Sequence, residues 1–136
     1  MKTLTTSLLC LLIAGALFTG CNKEKNNIPG FRFITGAGYT SADASVAAGQ
    51  PFTLGFIAEK PENGDVLKEI KGSYSINNGN GTMGGFDYDL TTHPDTFSVT
   101  STYFAPDLAG ITHNYTFTLH TTGGGTKSLK LKITAI

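Results

Sequence analysis

A strict alternation of apolar and polar residues marks the end of the chain, and few structures other than strands are compatible with it. Two runs separated by a glycine triplet carry an apolar residue at every second position: Tyr115, Phe117 and Leu119, then Leu129, Leu131 and Ile133. Period two is the repeat of a strand with one buried face. With residues 123–125 as a three-residue loop, we predict a hairpin that buries one side. The predicted register pairs Leu119 with Leu129, Phe117 with Leu131 and Tyr115 with Ile133.

Shorter runs of the same period fill the chain from Phe31 onward. Their apolar positions are Phe31 and Phe33; Phe52, Leu54, Phe56 and Ala58; Val66, Ile70, Tyr74 and Ile76; Phe86, Tyr88 and Leu90; and Phe97, Val99 and Tyr103. Lys68 interrupts the third run. Gly, Asn and Pro separate the runs, and no segment shows a convincing helical stripe. We therefore predict an all-β domain over residues 30–136, a β-sandwich of seven to eight antiparallel strands.

The amino-terminal residues have the layout of an export signal. Lys2 gives a positive start, residues 8–18 are almost wholly apolar, and small Thr19 and Gly20 precede Cys21. The apolar run is too short for a transmembrane helix, which needs about 20 residues. Residues 1–20 are thus expected to be a signal peptide that is removed, and the polar residues 21–29 a flexible tether.

The segment that ends at Cys21 resembles the lipobox of bacterial lipoproteins, although Phe18 stands where that motif expects leucine. The resemblance implies that Cys21 becomes the first residue and carries fatty acyl chains such as palmitate. Several acyl chains make membrane attachment lasting. The alternative is cleavage after Ala16 in the A-x-A sequence 14–16, which would release a soluble protein with a free thiol.

The charge and cysteine content of the chain limit the classes of partner that it is expected to bind. Removal of Lys2 leaves nine Lys and Arg against ten Asp and Glu, a net charge near −1 that argues against nucleic acid or a basic membrane-binding patch. With Cys10 removed and Cys21 lipidated, the exported domain has no disulfide, so its stability must come from packing. The mixed charge around Glu24 also resembles the surface-export signals of Bacteroides-group lipoproteins. An outer-membrane lipoprotein, facing the periplasm or the surface, is the expected location.

A second resemblance concerns the domain. The segment 47–54, Ala-Ala-Gly-Gln-Pro-Phe-Thr-Leu, together with the hairpin over 115–134, resembles bacterial immunoglobulin-like and PKD-like domains. The resemblance covers about residues 30–134 and implies an immunoglobulin-like sandwich. Residues 106–110 look like the corner before the sixth strand, where a tyrosine hydroxyl often bonds back to the chain. Tyr115 is the tyrosine that would do so.

Motifs that could carry chemistry are weak. Residues 79–84 read G-x-G-x-x-G, but an alternating strand pattern follows where a dinucleotide site needs a helix, so an Asn/Gly loop is the better interpretation. Asp87 and Asp89 share a strand face and are weak calcium candidates. His113 and His120, at an odd spacing on one strand, do not suggest a metal site. No catalytic motif is present, and we expect no cofactor and no enzymatic activity.

Binding is therefore expected in loops, where function usually lies on a rigid scaffold. The segments 36–50 and 77–85 hold the candidates, which are Tyr39 in the first and Asn80, Thr82 and Met83 in the second. Phe104 is a second candidate surface aromatic, since its parity is opposite to that of Tyr103. Each ring could stack on a sugar or anchor a protein, or simply fold over the open end of the sandwich.

The predicted function is a non-catalytic, lipid-anchored envelope module, binding or structural, that recognises a protein or glycan through loops or an edge strand. The alternative is an accessory subunit of a larger outer-membrane complex with no ligand of its own. An accessory subunit predicts an exposed apolar patch or a long unprotected edge strand. A glycan binder predicts two or three aromatic residues flanking a polar groove.

Overall fold

The computed structural model describes residues 25–77, 85–92 and 95–136, which form eight strands and no helix. The strands are β1 (Gly30–Phe33), β2 (Ala44–Val46), β3 (Pro51–Glu59), β4 (Leu67–Ile76), β5 (Gly85–Asp89), β6 (Thr96–Phe104), β7 (Thr112–Thr121) and β8 (Thr126–Ala135). The predicted signal peptide, Cys21 and the candidates Asn80, Thr82 and Met83 lie outside the described residues.

Two sheets make up the domain, a three-stranded sheet ordered β1-β3-β6 and a five-stranded sheet ordered β2-β8-β7-β4-β5. Their facing sides enclose one core of alternate residues, as the all-β sandwich prediction requires. The prediction that every pair is antiparallel is wrong for one pair, because β2 runs parallel to β8. Between β1 and β2 the chain crosses to the facing sheet without reversing its direction. β2 therefore runs in the same direction as its neighbour β8.

The last hairpin has the predicted faces but a register that differs by two residues. Tyr115 pairs with Leu131, and Phe117 pairs with Leu129. The loop is one residue earlier than predicted, since the Thr121 N–H donates to the Gly125 carbonyl at 2.9 Å and Gly124 takes the positive φ of 87°. A shift of two keeps each side chain on its face, so the predicted set stays buried except Leu129, which is half-buried.

A β-bulge explains the charged residue that interrupts the third predicted strand. The register of β4 against β7 shifts between Leu67 and Glu69, which leaves Lys68 exposed and unpaired with β7. The extra residue lets Leu67 and Ile70 both point into the core, although three positions separate them. The bulge thus buries the Leu67 side chain and leaves Lys68 without a partner on β7.

Aromatic rings join the two sheets. The ring of Phe56 on β3 lies 4.6 Å from that of Phe117 on β7. On β1, the Phe31 ring stacks on Phe56 at 5.9 Å, and the Phe33 ring lies tilted against Phe56 at 5.5 Å. Both Phe56 and Phe117 are fully buried. Burial of a side chain of this size stabilises the fold by roughly 1.5–3 kcal/mol, which is how a domain with no described disulfide holds together.

The sandwich has two ends of different connectivity. At one, which we call the tether end, residues 25–29 meet the loops 60–66 and 122–125, and Asn63 and Thr122 donate backbone bonds to Asn26 and Val66. At the other, the far end, residues 47–50, 105–111 and Ile136 meet, joined by bonds such as Gly49 N–H to Pro106 O at 3.0 Å. The strands of nine or ten residues separate the two ends by about 30 Å.

Candidate binding surface at the far end

A shallow apolar cavity of about 470 Å³ opens at the far end. Its lining residues are Ile76, Phe104, Ala105, Pro106, Asp107, Leu108, Ile111 and His113. Phe104 and Leu108 are 63% and 70% exposed, and Ile136 at the same end is 68% exposed. Isolated exposed apolar residues are ordinary, but here two of them flank one apolar cavity.

The fold places Phe104 and Leu108 by different means. Phe104 is the last residue of β6, where even-numbered side chains point away from the core. Leu108 lies in the loop 105–111, which is fixed at both ends: Ala105 N–H bonds to Gln50 O at 2.9 Å, and Gly110 N–H bonds to Ala135 O at 2.8 Å. Gly110 has φ of 86°, which favours glycine. The loop therefore presents Leu108 outward on a defined backbone.

His113 lines the inner side of the cavity, and two tyrosines pack behind it. The His113 ring lies 4.8 Å from that of Tyr74, and its Nδ1 is 3.3 Å from the Tyr115 hydroxyl. Desolvation lowers the pKa of His113, and burial, helped by Tyr74, raises the pKa of Tyr115 to about 12. Both side chains are therefore neutral near pH 7, and Asp107 is the charged group of the lining. Such a cavity suits an apolar side chain.

The hydroxyl of Tyr115 does not make the bond that the second resemblance implies. Its partner is His113, two residues earlier on the same strand, and the corner at 106–110 is described in full without a bond to it. The tyrosine therefore contacts a residue of the cavity lining and does not brace the corner.

Tyr39 lies on the outer face of the three-stranded sheet and does not line the far-end cavity. Its hydroxyl is 3.5 Å from Thr100 Oγ1, and its ring edge covers Gly55. A Cβ at Gly55 would come within 2.9 Å of Tyr39 Cε1 and 2.7 Å of Ile34 Cδ1. One side of this half-buried ring is thus used for packing, and its role as a binding residue stays a prediction.

Asp87 and Asp89 are both exposed on β5, beside a depression of about 330 Å³ that also includes Lys68, Glu69 and Thr91. Hydrogen bonds from the backbone and side chain of Thr91 lower the pKa of Asp89, and the Thr91 N–H lies 2.9 Å from its Oδ1. Glu69 faces Lys68 and Lys71. Among the described residues, no three His, Cys, Asp or Glu are grouped to hold a metal ion, so the weak calcium prediction gains no support.

A larger polar depression of about 570 Å³ crosses the five-stranded sheet. It is lined by Asp43, Ser75, Asn114, Tyr115, Thr116, Lys130, Leu131 and Lys132. Asn114 Nδ2 is buried there without a hydrogen-bond partner among the described residues. The aromatic residue of the lining, Tyr115, is 6% exposed, so it offers no ring face to a sugar. Among the residues that the structure describes, no exposed aromatic ring flanks the depression as a glycan binder predicts.

Comparison with known proteins gives little. No protein-family model matches the chain, and no curated protein matches its sequence. Among solved structures, it is similar to Spo0M, a sporulation control protein from Bacillus subtilis, with a TM-score of 0.43 and 8% identity over 80% of this chain. The match spans 49% of the Spo0M chain, about half its length. A likeness this distant does not indicate a shared function.

Sequence patterns found part of this surface. The parity of Phe104 marked it as exposed, whereas Leu108 and Ile111 carried no strand pattern and were missed. The available signal was an apolar residue within a Pro-Asp-Leu-Ala-Gly turn, a place where polar residues are usual. Across the part of the chain that the structure describes, no helix is long and apolar enough to span a bilayer.

Proposed function

We propose that this chain is a lipid-anchored module of a bacterial cell envelope whose far end docks onto a protein partner, as an accessory subunit does. The observation that carries the proposal is the apolar cavity between Phe104 and Leu108, both mostly exposed. In the proposal the acyl chains on Cys21 hold the tether end near a membrane, and the far end is left free for the partner.

The domain is, in the same proposal, an immunoglobulin-like sandwich. Its strand order supports this, because β1-β3-β6 and β8-β7-β4 correspond to the A-B-E and G-F-C arrangements of that fold. β5 then extends the second sheet as the additional strand of variable-type domains does. β1 and β2 lie in opposite sheets, which fits an arrangement in which they are the two halves of a first strand divided between the sheets.

A protein partner suits the far end better than a glycan. Apolar surface with few polar groups gains from burial against another apolar surface, at roughly 25 cal/mol per Å². Sugar recognition needs exposed aromatic faces beside polar groups, and the polar depression on the five-stranded sheet has its tyrosine buried. An exposed apolar patch is also the feature that an accessory subunit predicts.

Intact-mass spectrometry of the purified envelope protein tests the anchor. The proposal expects a chain that begins at Cys21 and carries the added mass of its acyl groups. A chain that begins at Leu17, or an unmodified thiol at Cys21, would make the protein a secreted one and remove the membrane from the proposal.

Co-purification from detergent-solubilised envelope tests the docking surface. Leu108→Ser and Phe104→Ser should each lower recovery of the partner at least about tenfold, as for a residue at the centre of an interface. Ile28→Ser is the matched control, because Ile28 is an apolar residue, 51% exposed, at the tether end. If Ile28→Ser lowers recovery as much, or the far-end variants do not lower it, the far end is not the docking surface.

A further inference from the structure

The four terminal strands of the two sheets differ in how their open edges are protected. β1 has four residues and includes Arg32, and β2 has three residues. β5 has five residues and carries exposed Asp87 and Asp89. Short length and charge are the usual defences of an edge against pairing with another strand. Three of the four edges of the described sandwich therefore have such a defence.

β6 is the exception. Its nine residues, Thr-Phe-Ser-Val-Thr-Ser-Thr-Tyr-Phe, include no charge and no proline. They pair with β3 in a continuous register without a bulge. In the described part of the chain, no strand covers its other side. Long, uncharged, regular edges are the ones that accept a further strand.

The direction of the free backbone groups follows from the bonds at the two ends of β6. The Ala105 N–H donates to Gln50 O, and the Lys60 N–H donates to Asp95 O, both at 2.9 Å. Odd-numbered residues of this strand therefore bond to β3, and the even-numbered ones turn their N–H and C=O groups to the open edge. These are Thr96, Ser98, Thr100, Thr102 and Phe104, whose side chains are all exposed.

We propose that β6 pairs antiparallel with β6 of a second copy, across a two-fold axis at Thr100, to form a continuous six-stranded sheet. This register pairs Thr100 with its own copy, Ser98 with Thr102 and Thr96 with Phe104. It sets outward residues opposite outward residues and Phe97 opposite Tyr103 on the core side, with no like charges opposed. The five even-numbered pairs exchange ten hydrogen bonds.

The arrangement is compatible with the proposed anchor. The two copies run in opposite directions, so on one membrane the paired strands lie along the surface with a tether end at each side. Residues 26–29 pack on the domain, so the link to Cys21 consists of residues 21–25, which span about 17 Å when extended. The arrangement requires each tether end to lie within that distance of the bilayer. The pairing itself rests on the edge alone and does not require the far-end partner.

Cysteine cross-linking of the full chain tests the register. Two cysteines at position 100 would have Cα atoms about 5.5 Å apart, within disulfide range. Two at position 98 would be about 13 Å apart, because each faces position 102 of the other copy. Under mild oxidation, Thr100→Cys should give at least ten times more 100–100 linked peptide than Ser98→Cys gives 98–98 peptide. Equal yields, or no 100–100 link together with a monomer in sedimentation, would overturn the proposal.

Charge placement gives a second test that does not require oxidation. Ser98→Lys with Thr102→Lys sets lysines opposite each other and should leave a monomer. Ser98→Lys with Thr102→Glu sets opposite charges across the axis and should keep the dimer. Both changes are on exposed outward positions, so the fold is retained. The same oligomeric state for both variants would contradict this register. Leu108→Ser should leave the dimer intact, which separates this proposal from the docking surface.

Discussion

The tether end and the far end close their loops with the same kinds of hydrogen bond, but they differ in the apolar side chains that they expose. At the tether end, side chains bind the backbone: Asn63 Oδ1 accepts from Asp65 N–H at 3.0 Å, and Thr122 Oγ1 accepts from Val66 N–H at 3.3 Å. At the far end, backbone bonds and a bond from Thr112 N–H to Asn77 Oδ1 close the loops. Phe104, Leu108 and Ile136 are exposed there, whereas the tether end exposes Ile28. More of the exposed large apolar side chains therefore lie at the far end than at the tether end. The proposed docking surface rests on this difference.

Of the changes made at the two ends, the one expected to lower stability most is at the tether end. Gly125→Ala places a methyl group against the backbone carbonyl of Asn27, and the buried Pro29 limits how far that segment can move. We expect a loss of about 2 kcal/mol in the free energy of unfolding, measured by urea denaturation. Gly123→Ala is the control, because its methyl group meets only the Asp65 carboxylate, which can swing away. Equal losses would show that the tether end is not packed as described.

The corresponding change at the far end concerns Asn77. It has a φ of 48°, and its Oδ1 accepts from the Thr112 N–H at 2.9 Å. Asn77→Ala removes this bond and strains the backbone, for a loss of about 1–2 kcal/mol. Asn77→Gly removes the bond without the strain and should cost about half as much. If glycine is as harmful as alanine, backbone strain is not part of the far-end loop's stability.

A smaller effect comes from His113 beside the cavity. Because burial lowers its pKa below the usual 6.5, the unfolded chain binds a proton more readily than the folded one. The stability of the fold that depends on a neutral His113 is therefore fully present above about pH 6.5. It is lost as the pH falls toward the lower pKa of the folded state, because the unfolded chain takes up the proton first. Thermal unfolding between pH 7 and 5 should show a smaller acid loss in His113→Gln. His120→Gln leaves His113 in place and should keep the loss. An unchanged loss in His113→Gln would contradict the burial of that ring.

The smallest expected effect is that of Leu108→Ser on stability. The side chain is 70% exposed, so the free energy of unfolding should change by no more than about 0.5 kcal/mol. Phe56→Ala, in the fully buried core, should lose about 3–5 kcal/mol in the same assay. A large loss in Leu108→Ser would mean that the leucine stabilises the fold and is not free for a partner.

The sequence predicts which residues of each strand face the core, but it does not predict which residues pair across neighbouring strands. A period-two pattern is unchanged by a shift of two residues, so it predicted the buried set of β7 and β8 but not that Tyr115 meets Leu131. The choice depended on which glycine takes the positive φ. In β4 the pattern showed an interruption at Lys68, and the bulge that resolves it depends on the neighbouring strand. β2, with three residues, is too short to give a pattern.

The far-end surface was even less predictable. The position of Phe104 followed from strand parity, since neighbouring residues point to opposite faces. Leu108 and Ile111 lie beside it only because the loop 105–111 is tied to Gln50 and Ala135, which are distant in sequence. Every lining residue except Ile76 lies within 104–113, so the surface depends on the conformation of this loop, which has no pattern in the sequence.

Site-specific photo-cross-linking in cells tests the central claim most directly. A photoreactive amino acid at position 108, in the full chain expressed in its own envelope, should give a discrete cross-linked product that contains a second protein. The same amino acid at position 28, apolar and exposed at the tether end, should not give that product. The same product from both positions, or none from position 108, would contradict a far end that binds a protein partner.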